Sequence, residues 1–285
     1  MRAIDGGTFL MGSDEFYAEE GPVHEASVSP FLIDEAPVTT RQFASFVAET
    51  GYLTTAERDL PAADFPELDA GERRPGSLAF RPTDGPVSLL DWRQWWTWLP
   101  GANWRHPFGD AGEKAPDDHP VVQVSFDDAA AYAAWAGARL PTEAEWEFAA
   151  RGGHDGWRFA WGDEPRPGGR LMANTWQGAF PYQNAGADGW RGTSPVGSFA
   201  PNGFGLVDMI GNVWEWTTSP YAQRHTTGET SCCAVGGSGD ERRVLKGGSH
   251  LCAPEYCLRY RPAARSPQSD DTSTTHIGFR CVRDA

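Results

Sequence analysis

Residues 120–153 carry the clearest pattern of regular structure in the chain, and their sequence is PVVQVSFDDAAAYAAWAGARLPTEAEWEFAARGG. Three valines within 121–124 predict a short buried strand. Ser125 and Asp128 then have the spacing of a capping box, which predicts the start of a helix. Gly137 is expected to end that helix, because glycine favours the position just after a helix terminus.

A second capping box follows at once, and it predicts a second helix. Thr142 and Glu145 have the required spacing, and the helix is expected to end at Gly152. Towards the N-terminus, the apolar spacing within 39–50 predicts a third helix. Short apolar runs predict β-strands at 8–11, 31–33 and 243–245.

The rest of the chain shows little periodicity. With 33 Gly and 22 Pro, long regular elements are disfavoured, and the 13 Trp are expected to anchor irregular backbone as buried indoles. Residues 60–120 hold a tryptophan cluster at 92–104 and are predicted to form a long ordered loop. No linker or internal repeat is evident, so we expect a single α+β domain over 1–285 with low regular secondary structure.

The charge balance excludes several classes of function. With 24 Lys+Arg against 39 Asp+Glu, the formal net charge is −15, which argues against nucleic-acid binding and against a basic membrane-surface protein. Carboxylates in excess suit a soluble protein that binds hard cations such as calcium. No segment resembles a transmembrane helix or a signal peptide, so we expect a cytoplasmic protein, and a monomer.

Two cysteines stand out by their spacing. Cys252 and Cys257 lie five residues apart in GGSHLCAPEYCLRYRPAAR, next to the cations Arg259, Arg261 and Arg265. From the residues alone the pair is compatible with a disulfide, a metal site or two buried thiols. A thiolate pair is a soft ligand set that suits Cu(I) or zinc, but no second Cys or His pair completes a zinc site.

Five segments together resemble the formylglycine-generating enzymes, also called sulfatase-modifying factors. They are GGTFLMGS near the start, the 120–153 segment, ANTWQGAFP, GLVDMIGNVWEWT, and RVLKGGSHLC with GFRC near the end. The resemblance covers about residues 5–283 and implies a formylglycine-generating-enzyme fold, a variant of the C-type-lectin fold. The Cys-x4-Cys pair and GANWRHP at 101–107 resemble the true formylglycine generators within this superfamily.

The resemblance implies an oxidoreductase that converts one Cys of a client sulfatase to Cα-formylglycine, using O2 and Cu(I). The client would be an unfolded or extended segment with the motif Cys-x-Pro-x-Arg. Cys252 and Cys257 correspond to the copper thiolates, and Ser249 to an active-site serine. The other site residues that the resemblance implies are Trp216, Tyr256 and His276, the last at a position where the family commonly has Asn.

Calcium is the second cofactor that the resemblance implies, with a structural role. One ion would be bound by Asn174, Thr175, Asp188 and Trp190. A second would be bound by the GNVWE segment, through Gly211, Asn212, Val213 and Glu215. Both sets consist of the hard oxygen ligands that Ca²⁺ prefers.

The remaining cysteines depart from the family pattern. Positions that form two structural disulfides in many eukaryotic members are Ala133, Ala150, Pro262 and Cys281 here, so Cys281 is expected to be a buried single thiol. This agrees with a bacterial-type member in a reducing compartment. Cys232 and Cys233 have no recognised counterpart and are expected in a surface loop.

Two other functions remain open at this point. One is a same-fold enzyme that forms C–S bonds with iron, although the His-rich site that it needs is not evident. The other is a non-catalytic C-type-lectin-like binding module, which has no need of the Cys252 and Cys257 pair. The 92–108 segment, rich in tryptophan, is a candidate wall for a peptide groove.

Overall fold

The computed structural model describes residues 1–63, 65–67, 69, 73–225 and 242–285. Cys232 and Cys233 therefore lie outside the described residues. The described part contains three α-helices, which are α1 (Thr40–Thr50), α2 (Phe126–Trp135) and α3 (Glu143–Arg151). None of its helices is both long and apolar enough to cross a bilayer.

The strands of the described part are short and form four small sheets. They are β1 (Arg2–Ile4), β2 (Gly7–Met11), β3 (His24–Val28), β4 (Phe31–Ile33), β5 (Gly76–Phe80), β6 (Trp96–Pro100), β7 (Trp214–Pro220), β8 (Arg242–Lys246), β9 (Arg265–Ser269), β10 (Ile277–Gly278) and β11 (Val282–Asp284). The largest sheet has the order β10-β7-β8-β9, and a second has the order β1-β4-β11. The other two are the pairs β2-β3 and β5-β6.

The capping boxes form as the sequence predicts. The side chains of Ser125 and Thr142 accept hydrogen bonds from the third residue of α2 and α3, and the acidic side chains there bond back to the cap. Thr39 caps α1 in the same way. Each box satisfies backbone N–H groups that the helix itself leaves free, an effect of about 1 kcal/mol per cap. The three predicted helices are thus confirmed.

Two expectations about local structure are wrong. Residues 121–124 form no strand, although the three valines are buried, because Gln123 adopts a φ of 58° that interrupts extended backbone. Residues 60–120 are not all loop, since β5 and β6 pair as an antiparallel hairpin. In β6, Trp96 is partly buried and Trp98 is exposed, so burial does not alternate along this strand as it does in a half-buried strand.

Buried indoles and buried ion pairs lie among the apolar side chains of the interior. Trp104, Trp146 and Trp216 are among the largest fully buried side chains, as expected for indoles that hold irregular backbone in place. Arg280 forms a buried ion pair with Glu215, with Nε and Oε2 2.7 Å apart. A buried pair of this kind costs desolvation energy, so breaking it would leave an uncompensated charge.

The sheet β10-β7-β8-β9 positions the thiol region. Strands β8 and β9 pair over their full length, and the chain between them, residues 247–264, leaves the sheet and carries both cysteines. Parallel pairing of β10 with β7 places Ile277 opposite Trp214. The residue before Ile277, His276, is thereby brought to the same end of the sheet as Trp214.

Candidate active site

A cavity of about 340 Å³ lies where these segments meet. Its aromatic lining comes from five separate segments and consists of Tyr17, Trp95, Trp96, Phe180, Trp214 and Tyr256. The polar lining consists of Ser249, Cys252, Cys257, Arg259, Ser266 and His276. The cavity is therefore lined by aromatic and polar side chains in similar numbers, and the polar groups converge on the thiols, as in a ligand site.

A pair of glycines turns the chain from β8 into this cavity. Gly247 and Gly248 have φ values of 95° and 69°, which side chains rarely adopt. A Cβ on Gly247 would also lie 2.8 Å from the Met209 carbonyl oxygen, and one on Gly248 the same distance from that of Arg259. Only glycine fits such close backbone contacts, so these two residues place Ser249 and Cys252 at the cavity.

The two thiols are free and in contact. The Sγ atoms of Cys252 and Cys257 are 3.2 Å apart, which is hydrogen-bonding distance for sulfur and not a covalent bond. The backbone N–H of Ser249 donates to Cys252 Sγ over 3.4 Å. Cys252 is buried, whereas Cys257 is only partly so.

The surroundings make the two thiols unequal. The pKa of Cys257 is lowered, first because the hydrogen bond with Cys252 stabilises its thiolate, and then because Arg259 is nearby and outweighs part of the cost of burial. The pKa of Cys252 is raised well above its usual value by the same hydrogen bond and by burial. Cys257 therefore ionises before Cys252, and a bound cationic metal would favour ionisation of both thiols.

Arg259 is itself held in a fixed position. Its guanidinium lies 4.0 Å above the Tyr17 ring and pairs with Glu19 at 2.6 Å. The Tyr17 hydroxyl accepts a hydrogen bond from the backbone N–H of Leu258, the residue after Cys257. The segment at 17–19 therefore orders the positive charge next to the thiols.

Ser249 and His276 have polar atoms available to a ligand. The Ser249 oxygen accepts the Leu251 N–H over 3.2 Å, and its hydroxyl hydrogen has no acceptor in the described part of the chain. His276 Nδ1 is 2.8 Å from the Thr274 hydroxyl, and its Nε2 has no hydrogen-bond partner within the described residues. Burial, and then His250, lower the pKa of His276 to about 3, so the ring is neutral near pH 7.

Trp216 does not line the cavity, contrary to the expectation from the resemblance. It is fully buried, its Nε1–H donates to the Val124 carbonyl oxygen over 3.1 Å, and its ring packs edge-on against Phe126. Trp214 lines the cavity instead. The two indoles lie on the same side of β7 by strand parity. They differ in their neighbours, because Trp214 lies opposite Ile277 of β10, whereas Trp216 packs against Val124 and Phe126.

Sequence reasoning also missed Tyr17, Phe180 and Ser266, which come from distant segments without a common pattern. The tryptophan-rich 92–108 segment was expected as a wall, and Trp95 and Trp96 do line the cavity. Cys281 is buried and free, as predicted. Within the described residues, no group of three or more His, Cys, Asp or Glu side chains is arranged for a metal ion.

The first candidate calcium segment has unpaired oxygens. Asn174 Oδ1 and Ser194 Oγ are buried without a hydrogen-bond partner among the described residues. Buried unpaired oxygens are costly, and a cation would satisfy them. Thr175 and Trp190 each have a carbonyl oxygen that accepts one hydrogen bond. Asp188, two residues before Trp190, has an exposed side chain. These donors fit a hard cation.

The second candidate segment does not fit a calcium ion as predicted. Both Glu215 oxygens accept hydrogen bonds from Arg280, and Oε2 also accepts the Trp146 indole N–H. Asn212 is bonded to the backbone of Ser194 through both ends of its amide. The Glu215 carboxylate is already neutralised, and the Asn212 amide is already hydrogen-bonded. The predicted site would therefore offer a calcium ion only the carbonyl oxygens of Gly211 and Val213.

Comparison with known proteins decides the family. The profile described as "Sulfatase-modifying factor enzyme 1-like domain" matches residues 1–285. The chain belongs to this family. It is 60% identical to the formylglycine-generating enzyme of Mycobacterium tuberculosis, over 99% of this chain and 96% of that protein. It is also 38% identical to the inactive C-alpha-formylglycine-generating enzyme 2 of Mus musculus, over 99% of this chain and 85% of that protein.

A solved structure agrees with the fold. PvdO from Pseudomonas aeruginosa superposes with a TM-score of 0.64 at 25% identity, over 99% of this chain and 93% of that chain. The fold class expected from the motifs is therefore confirmed, as is the recognition of the family. Membership of this family, with relatives named formylglycine-generating enzyme, also confirms the prediction of an enzyme.

Proposed function

We propose that this enzyme converts the Cys of a Cys-x-Pro-x-Arg motif in a client sulfatase to Cα-formylglycine, using O2 and a Cu(I) ion bound by Cys252 and Cys257. The observation that carries the proposal is the pair of free thiols 3.2 Å apart in an aromatic cavity. Two soft sulfur donors suit Cu(I) better than hard cations. Sulfatase clients are proposed because the family and its relatives are named for sulfatase modification and formylglycine generation.

The chain's own residues would hold the client thiol in place. The cavity is large enough for a cysteine side chain with adjoining backbone, and its aromatic walls would exclude water from the reacting carbon. The Ser249 hydroxyl is free to donate a hydrogen bond, and His276 Nε2 is free to bond a client group. Bound Cu(I) would supply the electron transfer to O2 that thiols alone do not provide.

The net reaction requires a reductant. A cysteine CH2–SH group and O2, with two electrons and two protons from two external thiol groups that become a disulfide, give an aldehyde, hydrogen sulfide and water. The C–S bond and one C–H bond of the client break, and a C=O bond forms. Since the external thiols supply the electrons, neither cavity cysteine is oxidised in the net reaction.

The client arginine is expected to bind outside the cavity. The described lining holds the cation Arg259 and no carboxylate, so a second guanidinium would not be favoured there. An extended peptide can place residues on either side of the reactive cysteine well apart. The exposed aromatic faces of Trp92 and Trp98 are suitable partners for a guanidinium.

Anaerobic titration with Cu(I) and a Cys-x-Pro-x-Arg peptide tests the proposal. We expect one equivalent of Cu(I) to bind the wild type under anaerobic conditions, and the peptide to be turned over once O2 and a reductant are added. Both Cu(I) binding and aerobic turnover should be lost in Cys252→Ala and in Cys257→Ala. Cys281→Ala is the matched control, because Cys281 is also a buried free thiol but does not line the cavity. Full turnover by either cavity variant would refute the copper assignment.

We also propose a structural Ca²⁺ at the segment of Asn174, Thr175, Asp188 and Trp190. The unpaired oxygen of Asn174 supports it, since a hard cation satisfies such an atom. We also propose that the enzyme is a cytoplasmic monomer. Its free cavity thiols support the cytoplasm, because a reducing compartment keeps cysteines reduced.

A further inference from the structure

A second loop contacts the cysteine loop, residues 252–257, at two points. The backbone N–H of Trp176 donates to the Cys252 carbonyl oxygen over 3.1 Å. The backbone N–H of Phe180 donates to the Glu255 carboxylate Oε1 over 2.9 Å. The 176–180 segment therefore holds the cysteine loop at its start and near its middle. Phe180 and Glu255, which form the second contact, are 75 positions apart in the sequence.

The same segment fixes the ring of Tyr256. The Phe180 ring stacks on it with centroids 4.5 Å apart and planes 4° apart, and Trp95 packs edge-on against it at 5.4 Å. Tyr256 and Cys257 both donate their backbone N–H to the Ala253 carbonyl oxygen, at 2.9 and 2.7 Å. A shift of Tyr256 would therefore also move Cys257.

The hydrogen bond between the Phe180 N–H and the Glu255 carboxylate can be removed by a mutation that leaves the backbone unchanged. The Trp176 contact joins two backbone groups, whereas the Phe180 N–H is bound by a side chain. Glu255 is exposed, so its truncation removes little buried surface. A hydrogen bond to a carboxylate is stronger than one between neutral groups, so it restrains the Phe180 backbone more than surface exposure alone suggests.

We propose that Glu255 is a positioning residue of this enzyme: its carboxylate holds Phe180 in the stack against Tyr256 and thereby sets the positions of Tyr256 and Cys257 in the cavity. This inference rests on the proposed function, because it takes the cavity as the place of the reaction. Glu255 itself does not line the cavity and touches no reacting atom.

The test compares Glu255→Ala with Glu255→Gln, whose amide oxygen can still accept the Phe180 N–H. Glu113→Ala serves as a control for loss of an exposed carboxylate. We expect Glu255→Ala to speed hydrogen exchange of the ¹⁵N-labelled Phe180 amide and to lower peptide kcat/KM, each by about tenfold. Glu255→Gln should restore most of both, and all three variants should keep the wild-type melting temperature.

Three results would overturn the inference. They are unchanged exchange in Glu255→Ala, faster exchange with unchanged kcat/KM, or no rescue by Glu255→Gln. Failure of the proposed function would be distinct, since the wild type would then not turn over the peptide at all. In that case the inference is tested by the rate at which iodoacetamide alkylates Cys257 in the metal-free protein. An alkylation rate that Glu255→Ala leaves unchanged would show that Glu255 does not position Cys257.

Discussion

Single residues at the cavity are distinguished by what their polar atoms bind. Trp214 and Trp216 are two residues apart on one strand, yet one borders the cavity and the other is fully buried with its indole N–H bonded to Val124. His276 is partly buried and neutral near pH 7, and its Nε2 has no hydrogen-bond partner among the described residues. Mutation of a residue that borders the cavity should therefore affect substrate binding, whereas mutation of a fully buried neighbour should affect stability.

The two tryptophans should separate stability from substrate binding. Trp216→Phe leaves the Val124 carbonyl oxygen unpaired and opens a small void, so we expect the free energy of unfolding to fall by about 1–3 kcal/mol with little change in KM for the peptide. Trp214→Phe should raise KM. Urea unfolding and peptide kinetics on both variants check this, and the opposite assignment of effects would contradict the cavity lining.

His276 should make the protein sensitive to acid. Its pKa is about 3 in the folded protein, below the ordinary 6.5, so the unfolded chain binds more protons between these values. Its contribution to stability is thus present above pH 6.5 and is lost as the pH falls towards 3. In His276→Asn, the loss of unfolding free energy from pH 6 to pH 5 should be smaller by up to about 1.4 kcal/mol. Equal pH profiles for both proteins would exclude a buried neutral ring.

At the scale of elements, α3 is joined to β8 by buried charges. Glu147 accepts from Lys246 at 2.9 Å and from Arg151 at 2.7 Å. Burial alone would raise the pKa of Glu147, but these two cations outweigh it and lower the pKa to about 2. The carboxylate therefore contributes stability above pH 4.5, and this contribution is lost as the pH falls towards 2.

Glu147→Gln should be strongly destabilising. It leaves Arg151 buried without a counter-charge and leaves Lys246 with only its longer pair to Glu143, at 3.5 Å. This is expected to cost about 3–5 kcal/mol in unfolding free energy. Glu25→Gln, at an exposed position on β3, should change it by less than about 0.5 kcal/mol. Guanidinium unfolding of the three proteins at pH 7 would measure the difference, and similar midpoints would contradict the network.

Loop 174–190 should depend on calcium for its stability. We expect exhaustive EDTA treatment to lower the melting temperature of the wild type by about 5 °C, because loss of a bound ion removes its binding free energy. Asp188→Ala should melt lower at the start and respond little to EDTA, whereas Glu113→Ala should behave as the wild type. An unchanged wild-type melting temperature after chelation would count against the ion.

At the scale of the whole molecule, local signals predicted local structure well. The capping residues Ser125 and Thr142 determined where α2 and α3 begin, because a cap depends only on residues within one turn. The hairpin of β5 and β6 and the irregular 121–124 segment were missed. Strand pairing and a positive φ at Gln123 depend on partners outside any short window.

The chain by itself determined the family, the enzyme class and the identity of the two cavity thiols, because these depend on residues close together in sequence, such as Cys252 and Cys257. Only the tertiary structure decided the other walls. It selected Trp214 over Trp216, brought Tyr17 and Phe180 to the cavity, and paired Glu215 with Arg280 instead of leaving it free for calcium. The physical reason is that a cavity wall and a buried ion pair require atoms to meet in space, and the order of residues along the chain does not encode that meeting locally.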